Sequence, residues 1–193
     1  MITALMYLFN GIVMAILGTK SLINYRKSAS NIIAKGFIGI GYTVAIAYFL
    51  SIIDIYFEFI GQHKQSVYFF TLGNTFVFLS LIAAAYMTGY MTRQKRLAWV
   101  LIAFITASGL WATILGFRVE HTTIIHDTGI VTYVQQGLVN DVFCAAVLLT
   151  YTWTFIVFIW TGIKNPRIRI KLFLLAGGFL LAVWAGAVLI LAR

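Results

Sequence analysis

The sequence predicts an all-α integral membrane protein. The expected form is a bundle of six transmembrane helices with both termini outside and a short extracytoplasmic β-hairpin between helices 4 and 5. Three observations carry this expectation. Of 193 residues, 62% are hydrophobic and only 10% are charged, against about 25% charged in ordinary soluble domains. The apolar residues fall into six runs, at about 2–23, 32–58, 67–91, 97–117, 141–163 and 167–192. Each is close to the roughly 20 residues that cross a bilayer as a helix. The charges, finally, are sorted by loop. Most links between the runs are short, so residues 1–193 read as one membrane-embedded domain.

The first run carries no basic residue before Lys20. A secretory leader needs a positive segment ahead of its apolar stretch, so this run is expected to remain as a span. Lys20, Arg26, Lys27 and Lys35 surround the turn after it, Arg93, Lys95 and Arg96 fill the third, and Lys164, Arg167, Arg169 and Lys171 fill the fifth. The five acids, Asp54, Glu58, Glu120, Asp127 and Asp141, all lie toward the other side, at the opposite ends of the runs or in the alternate links. Lysine and arginine are retained on the cytoplasmic side, so the odd-numbered turns are expected inside a cell membrane and both termini extracytoplasmic. A net charge of +9 then reflects topology and contact with anionic lipid. No basic patch stands away from the membrane ends, so nucleic acid is not an expected partner. With the C-terminus outside, any sensing output would pass through another chain.

At the fourth link, Thr122–Ile125 and Ile130–Val134 are β-branched and aromatic, and His126-Asp-Thr-Gly129 between them is a turn sequence. This is the expected hairpin. Before the fifth run, Asn140 is placed to cap a helix, with Asp141 favourable at its positive end. Before the sixth, Asn165 is placed as cap and Pro166 at the first helical position, where no amide donor is required. Pro166 is the only proline, so no span is broken by one.

Between the charged rims no ionisable residue falls near the centre of a run. Such a group costs about 2.5–3.5 kcal/mol and is kept mostly for transport or proton relay. Its absence argues against a proton pump, a voltage sensor, a retinal Schiff base or a membrane haem, and no cofactor is implied. Asp54 and Asp141 are expected in the headgroup zone, either able to pair with Arg118. Tyr56, Tyr68, Tyr90, Trp99, Trp111 and Trp160 read as interfacial belts.

Two kinds of site can be drawn from the remaining residues. Uncharged polar residues within the runs, with Asn74, Tyr151 and Trp153 foremost, could line a pocket for a small uncharged or amphipathic molecule or a lipid. Thr150, Thr152 and Thr154 could not all line it, because alternate residues on a helix point apart. Small residues at four-residue steps, Gly178, Ala182 and Gly186, would let another backbone approach closely in lipid. Metal chemistry has only His63, His121 and His126 as histidine candidates. His121 and His126 would lie about 16 Å apart along a strand or about 140° apart around a helix, so they do not form a ligand pair by themselves. No nucleophile elbow, zinc-protease motif or phosphate loop is present.

The leading expectation is a non-enzymatic multi-pass protein acting through helix packing, as a subunit or partner of a larger membrane assembly or as a homo-oligomer. The alternative is a facilitator or receptor for a small molecule held within the bundle. A metal-dependent enzyme on the outer face is the third reading.

Overall fold

A computed structural model of the chain describes residues 2–28, 31–118, 122–125, 130–134 and 137–191, with backbone alone at 122, 125, 132–134 and 181–191. Six long helices make up nearly all of it: α1 (Ile2–Lys27), α2 (Ile32–Phe59), α3 (His63–Met91), α4 (Lys95–Gly116), α5 (Leu138–Lys164) and α6 (Arg169–Leu191). Two strands, β1 (Thr122–Ile125) and β2 (Val131–Val134), lie between α4 and α5. The first five helices are each long and apolar enough to cross a membrane; α6 has 23 residues, about 34 Å of helix. The protein is a multi-pass membrane protein. Its outer surface is apolar, with Ile170 75%, Leu174 73% and Phe9 68% exposed. Water would not tolerate so much exposed hydrocarbon; lipid does.

Successive helices run antiparallel, and the turns explain how. After α2 the chain reverses through Gly61, whose φ of 75° is open to glycine without a steric cost. Gln62 N–H donates to the Phe57 carbonyl at 2.9 Å and Gly61 N–H to that of Glu58 at 3.0 Å. This paired closure satisfies two carbonyls that the helix end leaves over. It also lets α3 begin at His63, four residues before the run read from hydropathy. After α3 the left-handed position is taken by Arg93, with φ of 59°, where a side chain costs about 1–2 kcal/mol. Asn31 caps α2, its Oδ1 accepting from Ala34 N–H at 3.0 Å.

Two capping expectations are corrected. The N-terminal cap of α5 is Gly137, at φ 90°. The helix therefore starts at Leu138 and Asn140 lies inside its first turn. Asn165 does precede a 3-10 turn, Pro166–Ile168, that leads into α6, with Pro166 at the first position. Its side chain, however, faces back, and Nδ2 donates to the Thr161 carbonyl at 2.9 Å. It closes the end of α5 and leaves the 3-10 turn without a side-chain cap.

Helix α3 is central, packed against α2, α4 and α5; α1 lies on α2, and α6 on α5. Two apolar clusters hold the bundle. One joins Phe37 and Ile40 of α2, Ala84 and Met87 of α3, Phe158 of α5, and Leu172 and Ala176 of α6. Phe158 stacks between Phe37 and Phe179, with ring centroids 6.3 and 5.6 Å away. The other cluster joins Phe78, Leu81 and Ala85 of α3 to Ile105 and Ala112 of α4 and Val139 and Ala146 of α5.

Glycines mark the closest approaches. A Cβ on Gly41 would stand 2.6 Å from the backbone nitrogen of Gly18, so α1 and α2 touch backbone to backbone. The strands pair antiparallel, Thr122 opposite Val134 and Ile125 opposite Val131. Thr3 Oγ1 accepts from the Val131 amide at 2.9 Å, which ties β2 to the first turn of α1.

Candidate functional site

Among the described residues, three groups of polar side chains between helices contain Asp54, Asn74 and Tyr151. The first contains Asp54, which is wholly buried, about 8 Å before the end of α2. The turn through Gly61 brings the first turn of α3 back against it. Ser66, also wholly buried, donates its hydroxyl to Asp54 Oδ1 at 2.5 Å. The carboxyl thus faces the α2–α3 seam, and it serves there as an acceptor between helices. An ionisable side chain is costly in such a place, and a bonded hydroxyl offsets part of that cost. The acid four residues on, Glu58, instead faces the turn. Its Oε1 lies 2.9 Å from Nδ1 of His63, whose side chain is 73% exposed.

The second group contains Asn74. With Thr71, Phe78, Ala112, Thr113, Gly116, Val139 and Phe143 it lines a cavity of about 10 Å³ between α3, α4 and α5. That is about the smallest space that holds one water molecule. Beside it Thr75 donates to the Thr71 carbonyl at 2.9 Å, and its oxygen lies 2.9 Å from that of Thr113. With the Thr75 proton committed, Thr113 is the donor across the α3–α4 interface.

The third group contains Tyr151. Its hydroxyl lies 3.4 Å from Ser80 Oγ, whose own proton goes to the Val77 carbonyl at 2.6 Å. Its ring packs 5.4 Å from Phe179. Ser80 stands six residues beyond Asn74, about 9 Å along α3. Neither Tyr151 nor Trp153 lines the cavity at Asn74. Thr150 and Thr154 are buried, with Thr154 donating to the Thr150 carbonyl at 2.8 Å, while Thr152 is exposed.

Of the histidine candidates, His63 sits in the first turn of α3, while His121 and His126 lie outside the described residues. Among the described residues, no group of three or more histidine, cysteine or carboxylate side chains is placed to hold a metal. Asp141 lies in the first turn of α5.

On α6, Gly178 is exposed, and a Cβ there would meet nothing within 4 Å among the described residues. Ala182 and Gly186 follow at four-residue steps on the same helix. Of the other helical glycines whose surroundings are described, all but Gly177 stand against a neighbouring helix, as Gly36 on Met87, Gly89 on Ala98, Gly109 on Phe78 and Gly162 on Phe173. Hydropathy could not have separated these cases, because it reads composition and not which way a helix is turned.

Comparison with protein-family models, curated proteins and solved structures finds no match to the chain. Fold and composition define a multi-pass membrane protein in a lipid bilayer.

Proposed function

We propose that the protein works through its helix surfaces, as a subunit or partner of a larger membrane assembly or as a homo-oligomer. The Gly178–Ala182–Gly186 face of α6 is its principal contact. The observation that carries this reading is the contrast among glycines. Those of the inner helices are consumed in packing the bundle, whereas Gly178 is exposed and a Cβ on it would meet nothing within 4 Å among the described residues. In lipid, helices associate by close backbone approach and dispersion, which small residues permit. The alternative, a molecule bound among α3, α4 and α5, has little support. A drug-sized ligand needs about 300–1,000 Å³, and the cavity beside Asn74 has about 10 Å³.

In this reading the basic ends of the helices face the cytoplasm of a cell membrane, both termini lie outside, and β1 and β2 form an added contact on the outer face. The sorting of lysine and arginine supports that orientation. The test is native mass spectrometry of mildly solubilised protein. The wild type is expected to carry a second polypeptide, a copy or a different chain. Gly178→Leu is expected to lose it with the thermal transition of the remaining chain unchanged. A wild type that emerges alone, or a variant that keeps its companion, refutes the proposal.

A further inference from the structure

The cations at the basic end of the bundle are not placed alike. Lys35 lies 5.5 Å from the ring centre of Tyr86, Lys95 5.2 Å from that of Tyr90, and Lys164 3.6 Å from that of Trp160. Each has an aromatic face as its partner. Lys20 has a different setting. It stands seven residues before the end of α1 at Lys27, about 10 Å inward along the helix. No carboxylate pairs with it among the described residues. It sits instead on the wall of a trough of about 580 Å³, open to the surroundings.

The trough runs along one face of α1. Ile12, Ile16 and Ile23 form its apolar floor, and Phe49 of α2 closes it at the level of Ile12. Thr19, Lys20 and Asn24 supply polar groups toward the basic end. Thr19 Oγ1 lies 3.1 Å from the Tyr42 hydroxyl on α2, which holds one side of that polar end. From Lys20 to Ile12 the trough extends about 12 Å, most of the ~15 Å depth of one leaflet's hydrocarbon. The backbone contact between Gly18 and Gly41 sets the angle of α1 on α2, so the trough does not depend on a ligand to form.

We propose that this trough is a binding site for an anionic glycerophospholipid of the leaflet that meets the basic end of the bundle. One acyl chain lies along Ile16 and Ile12 and ends against Phe49, while Ile23, beyond Lys20, underlies the headgroup region. The headgroup phosphate takes the Lys20 ammonium, with Thr19 and Asn24 beside it. Charge selects the occupant. A lysine this far inside the helix end needs a counter-ion or must reach back to water, and a phosphate at headgroup depth supplies one without moving the side chain out of the trough. The site is independent of the α6 contact, because α1 and α6 are different faces of the bundle.

The experiment compares dioleoyl phosphatidylglycerol with dioleoyl phosphatidylcholine bound to purified full-length protein, by native mass spectrometry across a lipid titration. The wild type is expected to retain phosphatidylglycerol preferentially. Lys20→Gln should reduce that retention about fivefold, the worth of one basic residue at an anionic membrane surface, and leave phosphatidylcholine unchanged. Arg26→Gln, outside the trough, should have no such effect. Ile16→Trp, at an exposed position, fills the floor and should reduce both lipids. Equal retention of the two lipids by the wild type overturns the proposal. So does a loss in Arg26→Gln equal to that in Lys20→Gln, or full retention of phosphatidylglycerol by Ile16→Trp.

Discussion

Replacing Ser66 by alanine removes one hydroxyl from the seam between α2 and α3 and adds no bulk. Both Ser66 and its acceptor Asp54 are wholly buried, and their oxygens are 2.5 Å apart. The variant takes away a donor in a place that water does not fill. Loss of a hydrogen bond to a buried polar partner costs about 1–3 kcal/mol. For a chain of this size, each kcal/mol moves the thermal midpoint by about 2–4 °C. Ser66→Ala is therefore expected to lower the midpoint by about 2–12 °C, read by thermal unfolding in a mild detergent. The contact itself is isolated by a double-mutant cycle with Asp54→Asn. Residues in one hydrogen-bonded pair couple by about 0.5–3 kcal/mol, whereas independent sites add within about 0.3–0.5 kcal/mol. A coupling of at least about 1 kcal/mol is expected. Additive single effects would refute the reasoning, because the carboxyl would then be satisfied without the serine.

Two further substitutions test the packing. Gly41→Leu must push α1 off α2, since even a Cβ would stand 2.6 Å from backbone. It should cost about 1–3 kcal/mol, read as a lowered thermal midpoint, while Gly178→Leu leaves the midpoint unchanged. Phe158→Ala opens a fully buried, doubly stacked site and should cost about 3–5 kcal/mol. Tyr151→Phe, which loses only a 3.4 Å contact to Ser80, should cost about 0.6 kcal/mol or less by the same assay.

The sequence by itself determined the membrane class and the helical spans. About 20 consecutive apolar residues can satisfy their backbone in lipid only as a helix, or within a closed barrel that these long runs do not suit. The chain therefore had little choice at α1 to α5. Their ends were less legible. Asn140 has the right chemistry for a cap, but Gly137 occupies the cap position, and Asn165 turns back to Thr161. Local propensity proposes several residues for each terminus, and the path of the chain into the next helix selects one.

Rotation about the helix axis was decided only by tertiary structure. A soluble helix shows its buried face as an apolar stripe. A helix in lipid is apolar on every side, so the pattern holds no record of which residues meet a neighbour. That is why the burial of Asp54 behind Ser66 could not be read from its place near the end of a run. It is also why the sequence could not tell that Asn74 lines a small cavity with α4 and α5 while the Tyr151 hydroxyl lies by Ser80. Gly41 and Gly178 read alike as letters. One is spent on the backbone of α1 and the other faces outward, and only the packing of six helices in space tells them apart.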